Sequence, residues 1–176
     1  MRRVRYNVAA SLDGYIATAA GGYDWIPQDS TVDFAALFAK VDTVLLGRHS
    51  YRAAKQAGET VWPAGSRVFV FSTTLRPEEH PDVTIVNANA DTVVANLRTE
   101  PGDGDIWLFG GGQLFSRLLV AGQVDCVEVT IAPMLLGGGI PLSASGAPEV
   151  QLTLEGTTQY PSGMVTLNYH VRGTSR

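Results

Sequence analysis

Val4, Tyr6 and Val8 alternate with Arg3, Arg5 and Asn7, the two-residue period of a β-strand with one apolar face. The period then lengthens. Ser11 to Asp29 reads as a long irregular loop, after which Phe34, Leu37, Phe38 and Val41 fall at i, i+3, i+4 and i+7, the spacing of one helix face, with Ser30 or Thr31 placed to cap it. A buried strand over Thr43 to Leu46 follows, closed by Gly47, and a second helix is predicted from about Arg48 to Gly58. Strands at Arg67 to Ser72 and Val83 to Val86 lead to a helix near Asp91 to Arg98. Asp105 to Phe109 is a further strand, Gly110, Gly111 and Gly112 turn the chain into a helix over Gln113 to Ala121, and Val124 to Ile131 returns as a strand. Val150 to Glu155 and Met164 to Val171 alternate with no helix between them and predict an antiparallel pair. The fold class is α/β, a mixed, mainly parallel sheet with an antiparallel C-terminal hairpin.

The 176 residues fit a single domain over 1–176, since one core of that size can bury about two thirds of the unfolded surface. A net charge of −4, with only Arg2, Arg3 and Arg5 clustered, speaks against a nucleic-acid surface. Ser11, Asp13 and Gly14 interrupt any apolar signal core, and no later run approaches the ~18 apolar residues of a membrane helix. The expectation is a cytoplasmic protein without a membrane partner. Cys126, the one cysteine, excludes an internal disulfide and sits in a strand as a buried thiol.

Two strand-to-helix junctions carry the candidate chemistry, Leu45-Leu46-Gly47-Arg48-His49-Ser50-Tyr51 and Leu108-Phe109-Gly110-Gly111-Gly112-Gln113-Leu114-Phe115. Each presents free amides at a helix start, where the positive dipole end favours phosphate, and in an α/β sheet these strand ends are where ligands bind. The glycine triplet is either a plain tight turn or a backbone that a pyrophosphate can approach closely. Arg48 is either a solvated first-turn arginine or a phosphate partner, with Ser72, Thr73 and Thr74 offering hydroxyls nearby. Asp33 is either part of a capping box begun at Ser30 or a carboxylate turned into a cleft. Asp13 reads as a turn residue before Gly14 or a substrate contact, and Trp25 as a lid aromatic or an edge of the core. His49, His80 and His170 lack metal-ligand spacing, and no G-x-S-x-G elbow is present, so no metal is expected.

In order, Val8 to Ala17, Leu46-Gly47-Arg48-His49-Ser50-Tyr51, Phe71-Ser72-Thr73, Phe109 to Phe115 and Val129-Thr130-Ile131-Ala132-Pro133 resemble the dihydrofolate-reductase-like superfamily over about residues 4 to 172. Gly47 to Tyr51 resembles dihydrofolate reductases, whereas Ser11 to Thr18 and Asp24-Trp25-Ile26 resemble the reductase domain of riboflavin biosynthesis. The resemblance implies a three-layer fold with helices on both sheet faces and NADPH as cofactor. It puts Gly47, Arg48, His49, Ser50 and Gly110 to Gln113, with Leu114, around the pyrophosphate, and Arg48, Ser72 and Thr73 near the 2′-phosphate. Ala10 and Ile16 then line the nicotinamide, Ser11 to Trp25 forms a mobile lid, and Thr130 bonds Asp33 across the pocket. The implied activity is hydride transfer to a small heterocycle, a dihydrofolate-like pteridine or a riboflavin-pathway ribosylaminopyrimidine. Asp33 handles the proton or orients substrate, and Asp13, Trp25 and Thr130 lie on the substrate side. A homodimer is implied by the riboflavin-type relatives. The alternative is a non-catalytic NADPH-binding module that serves as a sensor or dimer partner.

Overall fold

In the computed structural model, which describes residues 1–58, 61–147 and 149–173, the parallel strands are β1 (Val4–Ser11), β3 (Val41–Gly47), β4 (Arg67–Phe71), β5 (Thr84–Val86), β6 (Asp105–Gly110) and β7 (Cys126–Ala132). The antiparallel β9 (Leu152–Gln159) and β10 (Val165–Val171) complete an eight-stranded sheet of order β5-β4-β3-β6-β1-β7-β10-β9. The expected α/β class and the C-terminal hairpin are both present. A second, two-stranded sheet joins β2 (Tyr15–Ala17) to β8 (Ile140–Pro141).

The pleat of each central strand sends alternate side chains to opposite faces, and each face has its own core. On one face, Val4, Tyr6, Leu45, Ile106, Leu108 and Val129 pack under α3 (Ala90–Thr99) and α4 (Gly112–Val120), which contribute Val94, Leu97, Leu114, Phe115 and Leu118. On the other, Val44, Leu46, Val70 and Trp107 meet Tyr51 of α2 (Arg48–Gln56) and Phe38 of α1 (Phe34–Phe38). Each fully buried aliphatic side chain contributes about 1.5–3 kcal/mol. Asn89 caps α3 by accepting from Asp91 N at 3.0 Å. Cys126 is buried as expected, and burial pushes its thiol up to about 11. Among the described residues no helix is long and apolar enough to cross a membrane.

The first helix departs from its predicted form. It has five residues, none of them buried, and its cap is Asp33, whose Oδ1 accepts from Ala36 N at 2.8 Å. Ser30 and Thr31 do not cap it, because Asp29 takes the Thr31 amide and hydroxyl at 2.9 and 2.6 Å. Val41, the fourth residue of the predicted face, already belongs to β3: the neighbouring Lys40 carbonyl accepts from Asp105 N, which draws the chain into the sheet.

Candidate functional site

The C-terminal ends of β1, β3, β4, β5, β6 and β7 open into a large cleft of about 2040 Å³. Gly47 hands β3 to α2 and Gly111 hands β6 to α4, and among the described residues neither helix has a side-chain cap, which leaves the first amides of both open to an anion. The two loops face each other closely. A Cβ on Gly47 would stand 3.7 Å from Gly111 N, and one on Gly111 would stand 3.3 Å from Ser50 Oγ. Gly110 has φ of +140°, a conformation side chains rarely adopt, and the Gly110–Gly111 peptide is cis. Gly112 packs against the backbone of β8, where a Cβ would lie 2.7 Å from the Pro141 carbonyl oxygen.

Arg48 leaves the start of α2 for the end of β4, donating to Thr74 Oγ1 at 2.8 Å, with His49 Nε2 3.3 Å from its other terminal nitrogen. Ser72 is buried, and its hydroxyl accepts from Thr74 N and Leu75 N at 3.2 and 3.1 Å, which shapes the turn that presents Thr73 and Thr74. Arg48, His49, Ser50, Ser72, Thr73, Gly110 to Gln113 and Leu114 all line the cleft. The Leu114 side chain points into the core and reaches the site only as part of the first turn of α4.

Several other predicted site residues stand elsewhere. Ile16 lines the cleft, but Ala10 is fully buried in the core, and its neighbours Val8 and Ala9 line the cleft in its place. Trp25 lies off the lining, its indole N–H donating to the Gly22 carbonyl at 3.2 Å, while Tyr23, Ile26 and Pro27 flank the opening. Asp33 is at the rim, exposed, with one oxygen given to the helix cap. Thr130 bonds the Thr166 hydroxyl at 2.7 Å rather than Asp33.

Asp13 is outside the cleft. It accepts from Ser11 Oγ at 2.6 Å, Leu136 N at 3.1 Å and Gly137 N at 2.7 Å, tying the opening loop to the loop between β7 and β8. The Ser11 hydrogen bond, with the Leu136 and Gly137 amides, holds its carboxyl below the usual carboxylate range. With the β2–β8 pairing, this anchors the front of the segment that reads as a lid. Asp13→Ala is expected to speed amide exchange at Leu136 and Gly137 by roughly fivefold, the size of one modest hydrogen bond, measurable by hydrogen–deuterium exchange. In the unsubstituted protein the tie is complete above pH ~4, the unfolded carboxylate value. It is lost only as pH falls through the depressed folded value, so protection of these two amides, taken relative to their intrinsic exchange rate, should fall on acidification below that point.

Apart from Thr130, sequence reasoning missed the cleft floor. Arg5, Asn7, Glu128, Thr130, Thr166 and Asn168 all line it, on the sheet face that carries Trp107 and Phe109. Glu128 accepts from Arg5 Nε at 3.0 Å and Asn7 Nδ2 at 2.7 Å, and Arg5 also donates to Asp105 at 3.1 Å. The available signal was a carboxylate in the middle of an otherwise apolar strand, which a packed core tolerates only when paired.

A family model described as the RibD C-terminal domain matches residues 2–166. The uncharacterized proteins YwjB and YyaP of Bacillus subtilis are 31% and 30% identical, covering 96% and 98% of this chain and 97% and 96% of their own. The riboflavin biosynthesis protein RibD of Mycobacterium tuberculosis is 28% identical over 78% of this chain, which spans 44% of that protein. Among solved structures, a Shewanella sp. PV-4 protein provisionally assigned to riboflavin biosynthesis superposes with a TM-score of 0.81 at 27% identity, covering 98% of this chain and 99% of that one. A Thermotoga maritima deaminase/5-amino-6-(5-phosphoribosylamino)uracil reductase shares the fold, with a TM-score of 0.70 at 17% identity over 97% of this chain and 56% of that one.

Proposed function

The chain belongs to the RibD C-terminal domain family, and from that membership and the cleft we propose that it is an NADPH-dependent reductase of a small heterocycle. The candidate substrates are a riboflavin-pathway ribosylaminopyrimidine and a dihydrofolate-like pteridine. One observation carries the cofactor reading: two uncapped helix starts and their glycine loops meet at one sheet edge, with Arg48 and Thr74 beyond them. Those residues fit a dinucleotide, because Gly110 to Gly112 leave the backbone bare where a side chain would intrude and the free amides suit a pyrophosphate. NADPH supplies the hydride when bound. The protein's own groups bind and orient: Gly47 to Ser50 and Gly110 to Gln113 hold the phosphates, Arg48 with Thr73 and Thr74 takes the 2′-phosphate, and Ile16 closes the far end. Trp107 and Phe109 keep water from the ring stack.

Titrating NADPH and NADH against tryptophan fluorescence, then assaying oxidation with each candidate substrate, tests this reading. Arg48→Ala should weaken NADPH binding by about tenfold to a hundredfold, as for a lost charged hydrogen bond, while NADH binding holds. An unchanged preference would remove Arg48 from the phosphate site. Binding without any turnover would favour the non-catalytic module. Since Asn caps helices as well as Asp does, Asp33→Asn isolates the charge. With one oxygen given to Ala36 and the residue exposed, turnover should stay within about threefold. A drop beyond tenfold at unchanged cofactor affinity would make Asp33 the proton-handling group.

A further inference from the structure

The cleft continues past the nucleotide edge onto the outer sheet strands, and there its floor is polar in a specific order. Cross-strand register sets Asn7 of β1 opposite Glu128 of β7, and Glu128 opposite Asn168 of β10. All three line the cleft, so the row Asn7–Glu128–Asn168 crosses three strands on one face. The neighbouring row is Ala9, Thr130, Thr166 and Thr158, where the Thr130 and Thr166 hydroxyls satisfy each other at 2.7 Å.

The Asn7 row is not closed on itself. Glu128 is 8% exposed and its charge is offset by Arg5, but among the described residues its Oε2 takes a single hydrogen bond, from Asn7 Nδ2. A carboxylate oxygen can accept about two. Among the described residues, Asn7 Oδ1 has no partner, and the Asn168 side-chain amide has none for either its donor or its acceptor. Asn7 and Asn168 are half-buried and their free amide groups are not closed off from the cleft, so water satisfies them until a ligand with matching donors and acceptors displaces it. The free valences face the cavity. Beside them stands an aromatic wall: Phe38 and Trp107 have ring centroids 5.6 Å apart, and Trp107 and Phe109 5.2 Å apart.

We propose that Asn7, Glu128 and Asn168 are the specificity-determining edge of the substrate pocket. They take a neutral planar heterocycle through an amide–amidine edge, with ring N–H donors on Glu128 Oε2 and Asn7 Oδ1 and a carbonyl on the Asn168 amide. The row asks for no phosphate, because its one cation, Arg5, is held by Glu128 and Asp105. The wall of Phe38, Trp107 and Phe109 receives the flat face of the ring. The role of this edge in turnover rests on the reductase reading, whereas its binding does not.

Calorimetric titration with isocytosine, a phosphate-free ring carrying that edge, separates the two. With NADP+ saturating, the wild-type protein should bind isocytosine, and Asn168→Leu and Asn7→Leu should each weaken that binding at least about tenfold while leaving NADPH affinity unchanged. Circular dichroism reports folding of both variants, and Asn168, half-buried in the outer half of the sheet, is the substitution least able to disturb it. Isocytosine binding that depends on the row in a protein that does not bind NADPH would keep this subsite and defeat the reductase reading. NADPH binding with no isocytosine binding at millimolar concentration would do the reverse. Equal isocytosine binding by wild-type and Asn168→Leu protein would also overturn the proposal.

Discussion

Asp125→Ala is expected to lower unfolding free energy by about 3–5 kcal/mol, the cost of leaving a buried charge without its partner. Asp125 and Arg98 lie between the last turn of α3 and the start of β7, with side chains 4% and 7% exposed and Arg98 donating to Asp125 Oδ1 at 2.8 Å. The second carboxylate oxygen accepts from Val4 N at 2.8 Å, so one side chain joins a helix, β7 and the start of the central strand β1. Among the described residues Arg98 has little else: its Nε has no partner, and its remaining contact is the Gly122 carbonyl at 3.5 Å. Removing the carboxylate strands both a guanidinium and a backbone amide. For a chain of this length the melting temperature should fall by about 6–20 °C, read by calorimetry. Replacing Arg98 by Met in the same protein should restore part of the loss, because the unpaired charge goes while the Val4 amide stays unsatisfied. A melting temperature unchanged in Asp125→Ala would mean the pair contributes no net stability.

Comparable pairings explain where the sequence was legible and where it was not. The glycine triplet was legible because close approach is a demand that glycine alone meets, and the strands of the main sheet, though not their exact ends, because their apolar patterns report burial directly. The length of α1 was not legible: Phe34, Leu37, Phe38 and Val41 keep helical spacing whether or not the last of them has entered a strand, and what decides the matter is a hydrogen bond from Asp105, more than sixty residues on. Asp13 read as a turn residue or a substrate contact, and its tie to the Leu136 and Gly137 amides was not legible because they are over a hundred residues away. Trp25 and Ala10 were placed by the order of motifs, which carries no information on which way a side chain turns. The polar floor needed the sheet order itself, since only β1, β7 and β10 lying side by side make Asn7, Glu128 and Asn168 neighbours.

Among the glycines of the proposed cofactor site, Gly112→Ala should have the largest effect. The new methyl would stand 2.7 Å from the Pro141 carbonyl oxygen and 3.1 Å from that of Leu142, and both are backbone atoms that cannot swing aside. Nor is that backbone free to retreat. The Leu142 carbonyl accepts from the buried Tyr6 hydroxyl at 2.9 Å, the Leu142 amide donates to the Gly14 carbonyl at 2.9 Å, and β8 pairs with β2. A displacement at Gly112 therefore reaches Ile16, at the opposite end of the proposed cofactor, through β8 and β2. Overpacking of this kind costs about 1–3 kcal/mol of stability. If a similar sum is lost from a cofactor cradle held at both ends, NADPH binding should weaken about tenfold or more, at 1.4 kcal/mol per tenfold. Gly138→Ala is the matched control, because nothing lies within 4 Å of a Cβ there and it should leave both quantities unchanged. Gly111→Ala should fall between them, since its nearest neighbour, Ser50 Oγ at 3.3 Å, can rotate away. Thermal melts and NADPH titrations of the three variants check this ranking. If Gly112→Ala binds NADPH as tightly as Gly138→Ala, the close approach of α4 to β8 is not what shapes the cradle, and the phosphate site rests on the Gly47 loop alone.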